Sequence, residues 1–156
     1  MMLRRPRADA FADDATALTE LMIASRRATM PHLAEPRAPA EVHRWMRETV
    51  LPSRSVWIVE VAGEVVGFAL RNGAWLDALY VKPGWTGQGI GQRLLDAMLE
   101  EAAANADVMR LYTFQRNAGA RRFYERNGFV VVELTDGTDN EEREPDVLYE
   151  RRLARV

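Results

Sequence analysis

The apolar positions change their spacing along the chain, and the order of the changes predicts a protein that mixes helices and strands. Met2 and Leu3 open a short strand within residues 2–7. Pro6 has no N–H to give to a ladder, so that strand belongs at a sheet edge. Asp13 and Asp14 suit a helix start, and Ala15, Leu18, Leu21 and Met22 then recur at helix spacing to about Met30. Prolines at 31, 36 and 39 punctuate a loop. Val42, Trp45, Met46 and Val50 predict a second helix over 41–50. Residues 55–61 and 65–70 alternate and are separated by Ala62-Gly63-Glu64, a hairpin pattern. Asn72-Gly73 is a second tight turn leading into 75–82, so these three strands form an antiparallel meander.

Leu76, Ala78, Leu79, Tyr80 and Val81 form a mostly apolar run, as a strand covered on both faces requires. Pro83 ends it. Ile90, Leu94, Leu95 and Met98 fall at helix spacing and predict a helix over 89–104, stopped near Asn105. Residues 108–114 read as the next strand. A strand–helix–strand unit of this length implies a parallel, right-handed crossover. Ligands in such sheets gather beyond the carboxyl ends of the parallel strands, where residues 84–91 and 115–117 lie. Asn117 is a good N-cap and Asn127-Gly128 a helix stop, so a fourth helix fills 117–127. Residues 129–134 and 147–153 complete the strands, joined by a polar, acidic stretch over 135–146.

Composition narrows the picture by exclusion. At 156 residues the chain is expected to form one domain over 1–156. The formal net charge of −2, with no basic stripe among aromatics, gives no pull toward nucleic acid or anionic membranes. Cysteine is absent, which removes disulfides, thiolate nucleophiles and cysteine metal sites, and two scattered histidines make no metal site either. The basic N-terminus is followed by no apolar segment, so it does not read as a signal peptide, and no run approaches membrane-spanning length. A cytoplasmic protein without metal or membrane contacts is expected.

Glycines at 84, 87, 89 and 91 remove Cβ atoms that would hold a ligand off the backbone between the strand and the helix. A glycine turn feeding a helix start is a site for phosphate. A dinucleotide fingerprint fails, because its third glycine would fall on Gln92 or Leu94, and a P-loop fails, because no lysine follows Gly89. What remains, Thr86-Gly87-Gln88-Gly89-Ile90-Gly91, resembles the acetyl-CoA loop of the GNAT N-acetyltransferase superfamily, Arg/Gln-x-x-Gly-x-Gly/Ala, with Thr86 departing from the usual Arg/Gln. A second stretch resembles that superfamily's Asn-x-x-Ala-x-x-Phe-Tyr-x-x-x-Gly-Phe, matched at Asn117, Ala120, Phe123, Tyr124, Gly128 and Phe129. The likeness covers 55–135 well and the remainder in element order.

The resemblance implies an α/β fold of α+β type. Its central sheet is mixed and mainly antiparallel, with one parallel, splayed strand pair and about four helices. It implies an N-acetyltransferase that uses acetyl-CoA as co-substrate. With neither a Ser-His-Asp pattern nor a cysteine, direct transfer to a primary amine in a ternary complex is expected. Main-chain groups of Leu79, Tyr80 and Val81 would hold the acetyl-pantetheine arm in the family's manner. The N–H groups of Gly87, Gln88, Gly89, Ile90, Gly91 and Gln92 would hold the pyrophosphate. Asn117 would bond the cofactor arm, and Tyr124 would protonate the leaving thiolate. Arg93, Arg121 and Arg122 read either as partners of the ribose phosphate or as ordinary surface charges. Asp77, two residues before Leu79 and so expected on its face, is the candidate base, with Glu133, Glu141 and Asp146 as rivals. The acceptor is expected to be a small-molecule or peptide amine. His32, His43 and Trp45 are its candidate neighbours, and 135–146 reads as either an acidic lip for a cationic amine or a solvated connector. A non-catalytic acyl-CoA-binding domain and a transferase for another acyl-CoA are the alternatives. A homodimer is common in the family and has no marker in this sequence.

Overall fold

Seven strands form one sheet in the order β1-β2-β3-β4-β5-β7-β6. The structure is a computed structural model and describes residues 1–154. β1 (Met2–Arg4), β2 (Ser55–Val61), β3 (Glu64–Asn72) and β4 (Trp75–Val81) are successive antiparallel neighbours. β5 (Val108–Phe114), β7 (Asp146–Arg152) and β6 (Val130–Leu134) form a second antiparallel set. The two sets meet at β4 and β5, which run parallel and share a single register pair, Trp75 opposite Arg110. There the Arg110 N–H donates to the Ala74 carbonyl at 2.9 Å. Beyond that point the strands part. The mixed sheet with one splayed parallel pair is thus present, and β1 occupies the edge that Pro6 requires.

The helices are α1 (Phe11–Thr29), α2 (Pro39–Trp45), α3 (Leu51–Ser53), α4 (Ile90–Ala103) and α5 (Ala118–Arg126). The predicted helix over 41–50 is longer than expected. A π-helical turn over Met46–Val50 links α2 to α3, with the Leu51 N–H reaching back to the Met46 carbonyl. Pro52 has no N–H with which to extend an α ladder, and the turn before it is the wide one. α1 and the α2–α3 stretch cover one face of the sheet, burying Leu18, Leu21, Met46 and Val50 against Ile58, Phe68 and Leu70. α4 covers the other face, burying Ile90, Leu94, Leu95 and Met98 against Val59, Val66 and Met109. Each such side chain contributes about 1.5–3 kcal/mol. α4 comes this close because β3 carries Gly67. A Cβ there would stand 2.7 Å from Ile90 Cγ2 and 3.2 Å from Leu94 Cδ1.

Two expectations for β4 fail, for one reason each. It is not covered on both faces: Leu76 is buried, Asp77 is exposed, and the other residues are half-buried. The splay leaves the C-terminal half of β4 lining a cleft instead of bonding to β5. Nor does Asp77 share a face with Leu79. Leu70 pairs with Ala78 and Arg71 with Leu76, so Asp77 is a bulge residue with no partner in β3. The extra residue breaks the alternation. Leu76 and Leu79 therefore pack in the α4 cluster, while Ala78 and Tyr80 pack on the α1 side.

Candidate active site

The turn before α4 is built around left-handed backbone. Gly87 has φ 78° and Gly89 φ 82°, values that side-chain-bearing residues rarely adopt. Nothing lies within 4 Å of where a Cβ would be at either position. Gly89 is the N-cap of α4, and no side chain caps this helix. The Arg93 N–H donates to the Gly89 carbonyl at 3.0 Å. The N–H groups of Ile90, Gly91 and Gln92 therefore precede the helix ladder and face outward at its positive end. This arrangement fits a polyphosphate. Ile90 is buried and offers its backbone alone. The Gln92 side chain is engaged with Asn127 at 2.7 and 3.1 Å and with Asp96 at 2.9 Å, so its main-chain N–H is what it has to give. Gly91 departs from the expected role. Its Cβ would touch Leu79, Val81 and Phe123 at 3.7 Å, an ordinary contact on the protein side.

From this turn a cleft of about 1050 Å³ runs into the splay. Leu79, Tyr80, Val81, Gly87, Gly89, Ile90, Gly91, Gln92, Asn117, Tyr124 and Asp77 all border it, and Gln88 does not. Asn117 lies beyond the end of β5. Its Oδ1 accepts from the Ala120 N–H at 3.1 Å and caps α5, which leaves its amide N–H groups for a ligand. Tyr124 is buried on α5, its ring set against Phe123 at 5.2 Å and Phe129 at 5.5 Å. Burial, reinforced by Tyr80, raises its pKa, so the phenol keeps its proton at neutral pH. Asp77 is open to solvent at its surface yet stands in the cleft wall. Desolvation by the surrounding protein raises its pKa, and Arg54 pulls it back in part.

A second cleft of about 660 Å³ lies on the α1 side, with Met22, Val42 and Trp45 among its walls. Trp45 is 42% exposed. Arg26, Asp77, Ala78, Tyr80 and Glu142 border both clefts, so the two meet at the bulge of β4. Arg26 was invisible to sequence reasoning, because an arginine on the polar side of a helix carries no motif. His43 bonds Thr16 at 3.0 Å, and His32 lies 3.6 Å from Glu144.

Three of the six carboxylates in the acidic stretch over 135–146 are paired with arginines. Glu141 pairs with Arg37 at 2.6 Å, Glu142 with Arg26 at 3.3 Å and Glu144 with Arg116 at 2.9 Å. Arg37 holds the Glu141 carboxyl below the usual range, the reverse of what a base requires. Asp146 is buried and bound to Thr135 and Asn140, and Glu133 is exposed on β6. Arg121 donates to the Tyr149 hydroxyl at 3.0 Å. Among the described residues no group of three or more His, Cys, Asp or Glu is arranged to hold a metal, and no helix is long and apolar enough to cross a membrane.

A family model for the acetyltransferase (GNAT) domain matches residues 52–131, just over half of the chain. The chain belongs to the GNAT acetyltransferase family. This GNAT chain is 34% identical over 90 residues to the peptidyl-lysine N-acetyltransferase YjaB of Salmonella typhimurium, across 57% of its own length and 59% of that relative's. It is 32% identical over 81 residues to the spermine/spermidine N(1)-acetyltransferase of Bacillus subtilis, across 43% and 53% of the two lengths. The chain thus spans little more than half of these curated relatives. The GNAT fold extends over nearly all of it. The PaiA N-acetyltransferase of Thermoplasma acidophilum, solved in complex with coenzyme A, superposes with a TM-score of 0.70 at 22% identity, covering 97% of this chain and 98% of that one.

Proposed function

We propose that this protein is an acetyl-CoA-dependent N-acetyltransferase working by direct transfer in a ternary complex. The uncapped glycine turn opening into the splay of β4 and β5 carries this reading, because it offers a phosphate site at one end of an extended cleft. The pyrophosphate sits on the N–H groups of Gly87 and of Gly89 to Gln92. The acyl arm runs along Leu79, Tyr80 and Val81, where β5 leaves the backbone groups of Leu79 and Val81 open, with Asn117 on the opposite wall. The amine enters by the second cleft and meets the acetyl carbon at the junction. Asp77 takes the amine's proton. Tyr124 gives a proton to the sulfur as the carbon–sulfur bond breaks with its electron pair on sulfur. The acceptor is a small-molecule or peptide amine. Arginines pair with Glu141, Glu142 and Glu144, three of the six carboxylates of 135–146, and the second cleft adds apolar contact with Trp45, Met22 and Val42, which fits a cationic amine carried on an apolar body. A cytoplasmic setting is part of this reading: the sequence has no cysteine to oxidise, and no helix among the described residues is long and apolar enough to cross a membrane.

The test is a thermal melt with acetyl-CoA, with ATP as control, followed by an amine screen for turnover. A ligand at a hundredfold its Kd adds about 2.7 kcal/mol, a rise of roughly 5–10 °C at this length. A shift with acetyl-CoA and none with ATP is expected. Equal shifts, or none with acetyl-CoA, refute the cofactor assignment.

A further inference from the structure

Two helices border the main cleft, and one pair of side chains ties them together. The first turn of α4 carries the outward N–H groups of Ile90, Gly91 and Gln92, and α5 carries Tyr124. Gln92 Nε2 donates to Asn127 Oδ1 at 2.7 Å, and Asn127 Nδ2 donates back to Gln92 Oε1 at 3.1 Å. The other proton of each amide goes to a group that only accepts. Gln92 gives it to Asp96 Oδ1 at 2.9 Å, and Asn127 gives it to the Phe123 carbonyl at 2.9 Å. All the amide protons are thus used, and the flanking acceptors fix which way each amide points. Asn127 is also the C-cap of α5, and its main-chain N–H reaches the Phe123 and Tyr124 carbonyls at 3.2 and 3.0 Å. The pair therefore joins the glycine turn to the backbone of Phe123 and Tyr124, across 35 positions of chain. The Phe123 ring leans on the same turn, with Cζ 3.7 Å from where a Gly91 Cβ would stand.

We propose that Asn127 is a positioning residue that acts through Gln92 to hold Tyr124 at a set distance from the pyrophosphate site. This role rests on the acetyltransferase reading and falls to a residue which that reading leaves idle. Acetyl-CoA is long: its pyrophosphate sits at the glycine turn while its thioester sits beside Tyr124. Phosphates bound on α4 place the thioester against Tyr124 only as well as α4 and α5 are fixed to each other. The amide pair supplies that connection, so binding at the phosphates is felt as correct placement of the acid at sulfur. A donor without phosphates draws nothing from the pair.

The experiment compares wild type with Asn127→Ala, Gln92→Ala and the double variant. The donors are acetyl-CoA and S-acetylpantetheine, a thioester that lacks the phosphates. Asn127 has a φ of −94°, so alanine brings no left-handed strain, and its main-chain N–H still reaches the Phe123 carbonyl. A thermal melt checks that each variant is folded. If wild type binds no acetyl-CoA or turns over no amine, the acetyltransferase reading itself fails. With an active wild type, Asn127→Ala is expected to lose about tenfold in kcat with acetyl-CoA while the Kd of coenzyme A stays within about threefold. Gln92→Ala should match it, and the double variant should be no worse than either single, because the two side chains act as one. With S-acetylpantetheine, kcat/KM should be the same in Asn127→Ala and wild type, whereas a role in the fold alone would slow both donors alike. Full kcat in Asn127→Ala, equal losses with the two donors, or losses that multiply in the double variant would each overturn the proposal. If the short donor is too slow to read, the acetyl-CoA data decide: kcat lost with Kd kept supports the proposal, and Kd lost with kcat kept overturns it.

Discussion

Gly67→Ala is the smallest change that tests how the fold seats the phosphate turn. The added methyl would stand 2.7 Å from Ile90 Cγ2, with the Tyr80 carbonyl 3.3 Å away. Carbon atoms rest about 3.5–4.0 Å apart, so Ile90 must retreat by about 1 Å, since the bonded neighbour β4 leaves β3 little room to move the other way. Overpacking of this kind costs about 1–3 kcal/mol, and each kcal/mol lowers Tm by roughly 2–4 °C at this length. A drop of roughly 2–12 °C is expected. Ile90 is also the first residue of α4, so the same retreat carries the unpaired N–H groups with it. A misplacement of ~1 Å can cost about 10²-fold in rate. Differential scanning fluorimetry with and without acetyl-CoA, and kcat/KM on any active amine, read the two effects separately. Gly67→Ala that melts with wild type and keeps its full acetyl-CoA shift would refute the claim that β3 sets the position of α4.

Two further predictions concern charge. Asp77→Asn should remove the acid limb of the kcat/KM profile together with most of the rate, and the wild-type limb should lie above the ordinary aspartate range, since burial raises that pKa; an unchanged profile takes Asp77 out of the mechanism. Glu101 is bonded by Ser55, Arg71 and Arg5, which outweigh burial and hold its pKa down at about 2. Its folded pKa is depressed, so its contribution is present above the unfolded value near 4.5 and lost as pH falls toward 2. The stability gap between wild type and Glu101→Gln should therefore close over that window in acid melts; a gap independent of pH would show that the network acts by packing.

Much of the sheet was legible because its signals are local. The meander, the crossover and the glycine turn each follow from spacing within about 15 residues. What could not be read depends on distance or on a single inserted residue. The bulge at Asp77 leaves no trace in an apolar run, so alternation misplaced that side chain. Partners for the acidic stretch come from 104 and 116 positions away, as Arg37 with Glu141 and Arg26 with Glu142, and such pairs cannot be read from a stretch that fits a lip and a connector equally well. The π-helical turn escaped for the opposite reason: apolar residues at 42, 45, 46 and 50 fit a regular helix equally well.

The single register pair between β4 and β5 gives the molecule a seam. Two half-sheets are joined along their backbones by one rung and otherwise through the layers above and below. Any extended ligand that enters the gap and bonds both edges supplies the absent rungs, so substrate affinity and sheet cohesion become one quantity. The amide protons of Leu79 and Val81, which face the gap, should report it: fast to exchange in the free protein, slow once the seam is closed.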